Sequence, residues 1–272
     1  FIGTGARFDR YYTVTTTTVG NATPPFSRNS YVFNSTSDNN TFGPITVWDF
    51  TMNTSGRQIA RSGTGAWTIN GSLVVNNGSV YFGSGGTYGA TTIANVNILG
   101  GLLSMDQTNQ TMNITGNLSQ TAGTFNLSTN VGGDVDISGN WTRNGGAFNA
   151  NARAVTFSGT GAQSIGGSTS TTFGFLTINN TSGTAAGVTL GVATNAGNQL
   201  TLTAGVLNTT ATNIPNITNT ATTAVSGGST TSFVKGPMTR SLPASLGTGS
   251  TYVFPTGKGT TYLPFSLVNP TT

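Results

Sequence analysis

A glycine recurs along the middle of this chain at Gly78, Gly101, Gly123 and Gly146, with spacings of 23, 22 and 23 residues. It belongs to a larger unit. Ile69-Asn70-Gly71-Ser72-Leu73, Ile114-Thr115-Gly116-Asn117-Leu118 and Ile137-Ser138-Gly139-Asn140-Trp141 each run through four residues into the glycine, and Val80, Phe125 or Phe148 follows two positions later. Ile98 and Gly101-Leu102-Leu103 fill the intervening repeat. The apolar runs are short and alternate in and out, as in Val135, Ile137 and in Phe125, Leu127, which is strand patterning. One such repeat cannot bury its own apolar face. Stacking the next repeat on it can, with backbone hydrogen bonds running from coil to coil.

The expectation is therefore an all-β chain folded as a parallel β-helix, a β-solenoid of about 22–23 residues per coil with about three strands in each. A leucine-rich repeat has a similar period, but its leucine consensus and helical side are missing. Ile69, Leu73, Ile114, Leu118, Phe125, Ile137, Trp141 and Phe148 are the expected core. The four matched glycines are the expected corners, where the chain turns with positive φ.

Periodicity divides the chain into residues 1–62, an irregular β leading section or insertion, residues 63–210, the coils proper, and residues 211–272, further β coils or a transition to a following β domain. In the first section Tyr11-Tyr12-Thr13-Val14 and Ile45-Thr46-Val47-Trp48 read as strands, and residues 21–25 and 35–40 as loops. Beyond Gly146 the period slips: Gly146 to Gly205 is 59 residues, not a whole number of repeats, which predicts an insertion or a lengthened corner. At about 22.5 residues per coil the length would hold roughly twelve coils.

Composition narrows the function classes. There is no His and no Cys, and all six acids are Asp. This excludes a His/Cys zinc site, a Ser-His-Asp triad and a thiol nucleophile. The net charge of +4 reflects scarce acids, and the ten Lys and Arg are scattered. No phosphate track, and so no nucleic-acid partner, is expected. No apolar run is long enough to span a membrane as a helix. The chain begins at Phe1 without a leader, and reads as processed or as part of something longer. No cofactor is called for.

Few residues offer chemistry. Asp134 and Asp136 alternate on one strand face. They are the weak metal candidates, although calcium takes six to eight oxygens, and the plainer reading is a solvated pair. With Arg143 and Arg153 downstream they would also be the acids and bases of a carbohydrate-active β-helix. Thr15-Thr16-Thr17-Thr18 and Thr169-Ser170-Thr171-Thr172 raise an ice-binding solenoid, which would need threonine at the same place in successive coils. Trp67, Tyr81, Phe82, Trp141, Phe148 and Phe157 are either a sugar-stacking surface or core, and Trp141 stands where Leu73 and Leu118 stand in its sister repeats. The Asn-x-Ser/Thr triplets at Asn77, Asn117, Asn126 and Asn140 follow from composition.

An ordered series of segments carries a family resemblance. It runs from Val155-Thr156-Phe157-Ser158-Gly159-Thr160-Gly161-Ala162-Gln163-Ser164-Ile165 through Phe175-Leu176-Thr177-Ile178-Asn179-Asn180 and Leu200-Thr201-Leu202-Thr203-Ala204-Gly205-Val206-Leu207. It ends with Gly236-Pro237-Met238-Thr239-Arg240 and Phe254-Pro255-Thr256-Gly257-Lys258-Gly259. Over about residues 65–265 the chain resembles the repetitive regions of giant cell-surface adhesins of Bacteroidetes (flavobacteria and relatives), the gliding-motility-type cargo of type IX secretion. Thr256 stands where valine is commoner in that last box. The resemblance implies a non-enzymatic, extracellular stalk or filament segment of a much longer chain. Its partners would be flanking parts of that chain, the secretion or motility machinery, surface polysaccharide and other copies of itself.

Overall fold

The structure, a computed structural model, describes residues 7–10, 30–33, 40–83 and 88–269. The chain is all-β, with parallel strands stacked as a β-solenoid of about nine turns. Among the described residues there is no α-helix, only one turn of 3₁₀ helix at Thr222–Ala224. Nine turns is fewer than length alone allows, because some coils are longer than the repeat and the last strands leave the parallel stack. The chain divides into two compact units, Phe1–Asp136 with Asn144–Arg153, and Ile137–Arg143 with Ala154–Thr272.

In the first unit three ladders of parallel strands enclose the core. In the first ladder Phe50, Leu73, Val96 and Leu118 stand directly above one another. The second aligns Ile59, Val80, Leu103, Phe125 and Phe148. The third aligns Val47, Ile69, Ile93 and Ile114. Alternation explains the packing: every second side chain of a strand points inward, and in-register stacking places like on like. All of these residues are buried except Phe148.

Phe148 departs from expectation, being half-buried rather than core. Its ring leans on Phe125 at 5.7 Å between centroids. Ala147–Asn149 is the last rung of the second ladder in this unit, so no further rung of the unit covers the outer side of the ring.

The leading section is more regular than its sequence. Arg7–Arg10 pairs with Ser30–Phe33, which pairs with 49–52, all in parallel as rungs of the first ladder. Ile45–Val47 is the expected strand. The strand expected at Tyr11–Val14 and the loop at 21–25 lie outside the described residues.

Gly78, Gly101, Gly123 and Gly146 form a column at the corner between the first and second ladders. Their φ values are 69°, 48°, 66° and 75°, a region where a Cβ clashes with the following carbonyl. Thr124 N–H donates to Gly101 O and Ala147 N–H to Gly123 O, each at 2.8 Å. A Cβ on Gly101 would lie 2.4 Å from Gly78 O, and one on Gly146 would lie 2.5 Å from Gly123 O. Glycine is required here for its backbone angle and for the close approach of successive coils.

In the second unit the first ladder aligns Trp141, Ile165 and Leu190, then Val188, Leu207, Val234 and Thr256. The intervals are uneven: 165 − 141 = 24, 190 − 165 = 25, 207 − 188 = 19, 234 − 207 = 27 and 256 − 234 = 22 residues. This is why the period slips. Gly205 does not belong to the glycine column. It turns with φ 71° beside Asn180 O, between the third ladder and the first, so its distance from Gly146 counts no repeats. The third ladder stacks Val155, Leu176, Leu200 and Val225. The second stacks Phe173, Ala196, Ile217 and Arg240.

The last strands turn antiparallel. Thr251–Phe254 pairs with Phe265–Val268, and Thr256–Lys258 with Thr261–Tyr262. Partner numbers sum to 519 in both pairings (251 + 268 and 257 + 262). The two pairs are thus one long hairpin, turning at Gly259, φ 63°. The Phe254–Gly259 box of the sequence is the inner arm and turn of this hairpin.

Candidate functional site

Chemistry-bearing side chains in this fold lie mostly along the coils, held to their neighbours. Asp49 joins three coils: Ser30 Oγ donates to Oδ2 at 2.9 Å and Ser72 N–H to Oδ1 at 2.8 Å. Asp134 and Asp136 are half-buried. Among the described residues no three of His, Cys, Asp and Glu gather into a group able to hold a metal ion, so the pair falls short of the oxygen count calcium takes. Arg143 Nη1 donates to Ser170 O at 2.6 Å, engaged with backbone rather than aimed at an acid. Asp106 turns the chain with φ 51°, and burial raises its carboxyl above the usual carboxylate range.

The aromatic residues are chiefly interior. Trp67, Phe82, Trp141 and Phe157 are buried, and Tyr81 is half-buried like Phe148. Phe42, Phe50, Trp67 and Phe82 follow one another at 5.9, 5.8 and 5.2 Å, an aromatic spine of the first unit rather than a sugar platform. Thr171 is buried and accepts Trp141 Nε1–H at 3.2 Å, so that threonine run is not a flat outward array. Thr15–Thr18 lies outside the described residues.

Sequence patterning misses a set of inward polar side chains at the corners. Gln163 is buried, and its amide is fully used. It donates to Ile137 O at 2.9 Å and Gly139 O at 2.7 Å, and accepts from Gly159 N–H at 2.9 Å and Asn180 Nδ2 at 2.8 Å. Asn180 also donates to Gly161 O and accepts from Ser182 N–H. These amides satisfy corner carbonyls that no rung can reach. Gln163→Leu would keep the volume and strand both carbonyls, and we expect a loss of about 3 kcal/mol, read as a fall in the urea midpoint.

Two arginines do the same work with charge. Arg61 is buried and donates to Thr91 Oγ1 at 2.7 Å, Gly65 O at 2.5 Å and Gly89 O at 2.8 Å. Its guanidinium lies 5.6 Å from the Tyr88 ring. Burial pulls it down to about 10, still charged at neutral pH. Arg240 ends the Phe173 column, donating to Ala221 O, Thr222 O and Val253 O. It stacks on Tyr252 at 5.0 Å.

The hairpin borders a cavity of about 370 Å³, walled by Pro237, Met238, Phe254, Leu263 and Phe265 with Lys258 beside them. It is an apolar recess without an acid–base pair.

No protein-family model, curated protein or solved structure matches the chain. Its own geometry therefore carries the functional reading. No helix among the described residues is long and apolar enough to cross a membrane.

Proposed function

We propose that this chain is a non-enzymatic structural segment that carries force through its stacked coils. The observation that supports this most directly is a run of outward side chains bonded rung to rung. Asn195 Nδ2 donates to Thr172 Oγ1 at 3.0 Å, Asn216 Nδ2 to Asn195 Oδ1 at 3.3 Å, and Thr239 Oγ1 to Asn216 Oδ1 at 3.0 Å. Each asparagine receives from one neighbouring coil and gives to the other. The first unit repeats the device at Asn53–Asn76 and Asn126–Asn149, both 2.6 Å. Side chains that could face a ligand instead bind coil to coil, alongside the backbone ladders.

The resemblance to Bacteroidetes surface adhesins gives this reading a setting: a stalk or filament part of a larger extracellular protein exported by the type IX system. Pulling the chain by its two ends tests it. Coils should release one at a time, in steps of about 8 nm for some 23 residues. Asn216→Ala should lower the release force of its rungs and cost about 1–2 kcal/mol in urea unfolding. Smooth extension without steps, or an unchanged force in the variant, would overturn the proposal.

A further inference from the structure

The outer arm of the C-terminal hairpin has one bonded edge and one open edge. Leu263 N–H donates to Thr256 O at 2.9 Å and Asn269 N–H to Ser250 O at 3.0 Å, on the same 519 sum as the strand pairs. Hydrogen-bonded pairs alternate in an antiparallel ladder. Residues 263, 265, 267 and 269 therefore point their backbone groups at the inner arm, and 264, 266 and 268 point theirs away. Pro264 and Pro270 have no N–H. Between them the open edge offers two donors, those of Ser266 and Val268.

The edge lacks the usual safeguards. Natural edge strands are blunted by charge, bulges or cover. Here residues 263–266 and Val268 are exposed and none is charged, with Leu263 at 56%, Phe265 at 60% and Val268 at 52% exposure. A two-stranded ribbon is marginal alone and gains from a further strand.

We infer that a second copy of this chain supplies that strand: Phe265–Val268 pairs antiparallel with itself across a two-fold axis at Leu267, joining two hairpins into a four-stranded sheet. In that register Ser266 faces Val268 of the other copy and exchanges both hydrogen bonds with it, as does its symmetry mate. Each Pro264 faces a Pro270, so no N–H or C=O between the prolines lacks a partner. Shifting the pairing to centre on Ser266 sets Val268 opposite Pro264, and its carbonyl goes unmet. The pairing is isologous and closes at two copies. Phe265 and Leu267 of both chains share one face of the new sheet.

The apolar surface involved is roughly 300 Å² per copy, below the ~800 Å² per partner of a stable complex. The dimer is therefore weak and concentration-dependent. It stands independently of the function proposed above.

The chain has no cysteine, so single cysteines report the register. Leu267→Cys sets two thiols face to face at a non-hydrogen-bonded pair and should give at least tenfold more oxidised dimer than Ser266→Cys at equal concentration. Sedimentation equilibrium of the full chain should show monomer passing to dimer as concentration rises. Ser266→Pro removes an outward N–H that the hairpin does not use. It should weaken association at least tenfold while leaving the thermal midpoint of the dilute monomer in place. A chain that stays monomeric at every concentration, a dimer unaffected by Ser266→Pro, or equal crosslinking at 266 and 267 would each overturn the inference.

Discussion

Gly123→Ala should cost about 3 kcal/mol or more, a large part of the 5–15 kcal/mol that holds a typical domain. Two effects add. The backbone at Gly123 has φ 66°, and a non-glycine residue there is penalised by roughly 1–2 kcal/mol. The new methyl would also lie 1.8 Å from Gly100 O and 2.4 Å from Gly101 O, so the neighbouring coil must move, and overpacking of this kind costs about 1–3 kcal/mol. Moving it disturbs the Thr124 N–H bond to Gly101 O, one of those that stack the coils. Two companion variants separate the terms. Gly56 has φ 69° with nothing within 4 Å of a built Cβ, so Gly56→Ala should show the backbone term alone. Gly161 has open space and no positive φ, so Gly161→Ala should stay within about 0.5 kcal/mol of the parent. Urea midpoints followed by tryptophan fluorescence would rank them. If Gly123→Ala falls no lower than Gly56→Ala, close coil approach is not what the column provides.

The glycine column and the inward Ile and Leu positions are legible because they obey two strict local rules, a residue type for a backbone angle and a period of two for a face. What stays hidden breaks the second rule. Gln163, Asn180, Arg61 and Arg240 are polar, and alternation assigns polar residues to the outside. A solenoid corner, however, presents carbonyls that adjacent rungs do not meet, and only a long donor side chain folded inward reaches them. The slip after Gly146 has a related cause. Corners can lengthen or shorten without disturbing the ladders, so coils of 19 and 27 residues pair as well as coils of 23. The pairing of Asp134 and Asp136 with Arg143 as a working site is a chain-proximity argument, and Arg143 instead holds the Ser170 carbonyl. The hairpin is hidden because its inner arm, Thr256–Lys258, reads as one more rung, which on one side it is.

Trp141 is where sequence comparison within the chain and structure meet most closely, and Trp141→Ala should cost about 4 kcal/mol. The side chain is fully buried, stacked on Ile165 of the next coil and edge-on to Phe173 at 5.2 Å. Phe173 in turn meets Phe157 at 6.1 Å, so removing the indole leaves a void among rings held in place by backbone ladders on all three sides, with little room to collapse. The sister repeats carry leucine at this place, yet Trp141→Leu should not be neutral. It leaves part of the void and strips Thr171 Oγ1 of the indole N–H, for about 2 kcal/mol. Trp141→Phe keeps a ring against Phe173 and loses the hydrogen bond and some volume, for about 1–2 kcal/mol. Phe148→Ala, at a half-buried ring touching Phe125, should cost only about 1 kcal/mol. Thermal or urea unfolding of the four variants should therefore fall in the order alanine at 141, leucine at 141, phenylalanine at 141, alanine at 148. If Trp141→Leu unfolds with the parent protein, the leucine of the sister repeats is a true equivalent and the indole contributes no packing of its own. If Phe148→Ala costs as much as Trp141→Ala, the second ladder carries a buried rung beyond Ala147–Asn149, and the half-exposed ring described above is wrong.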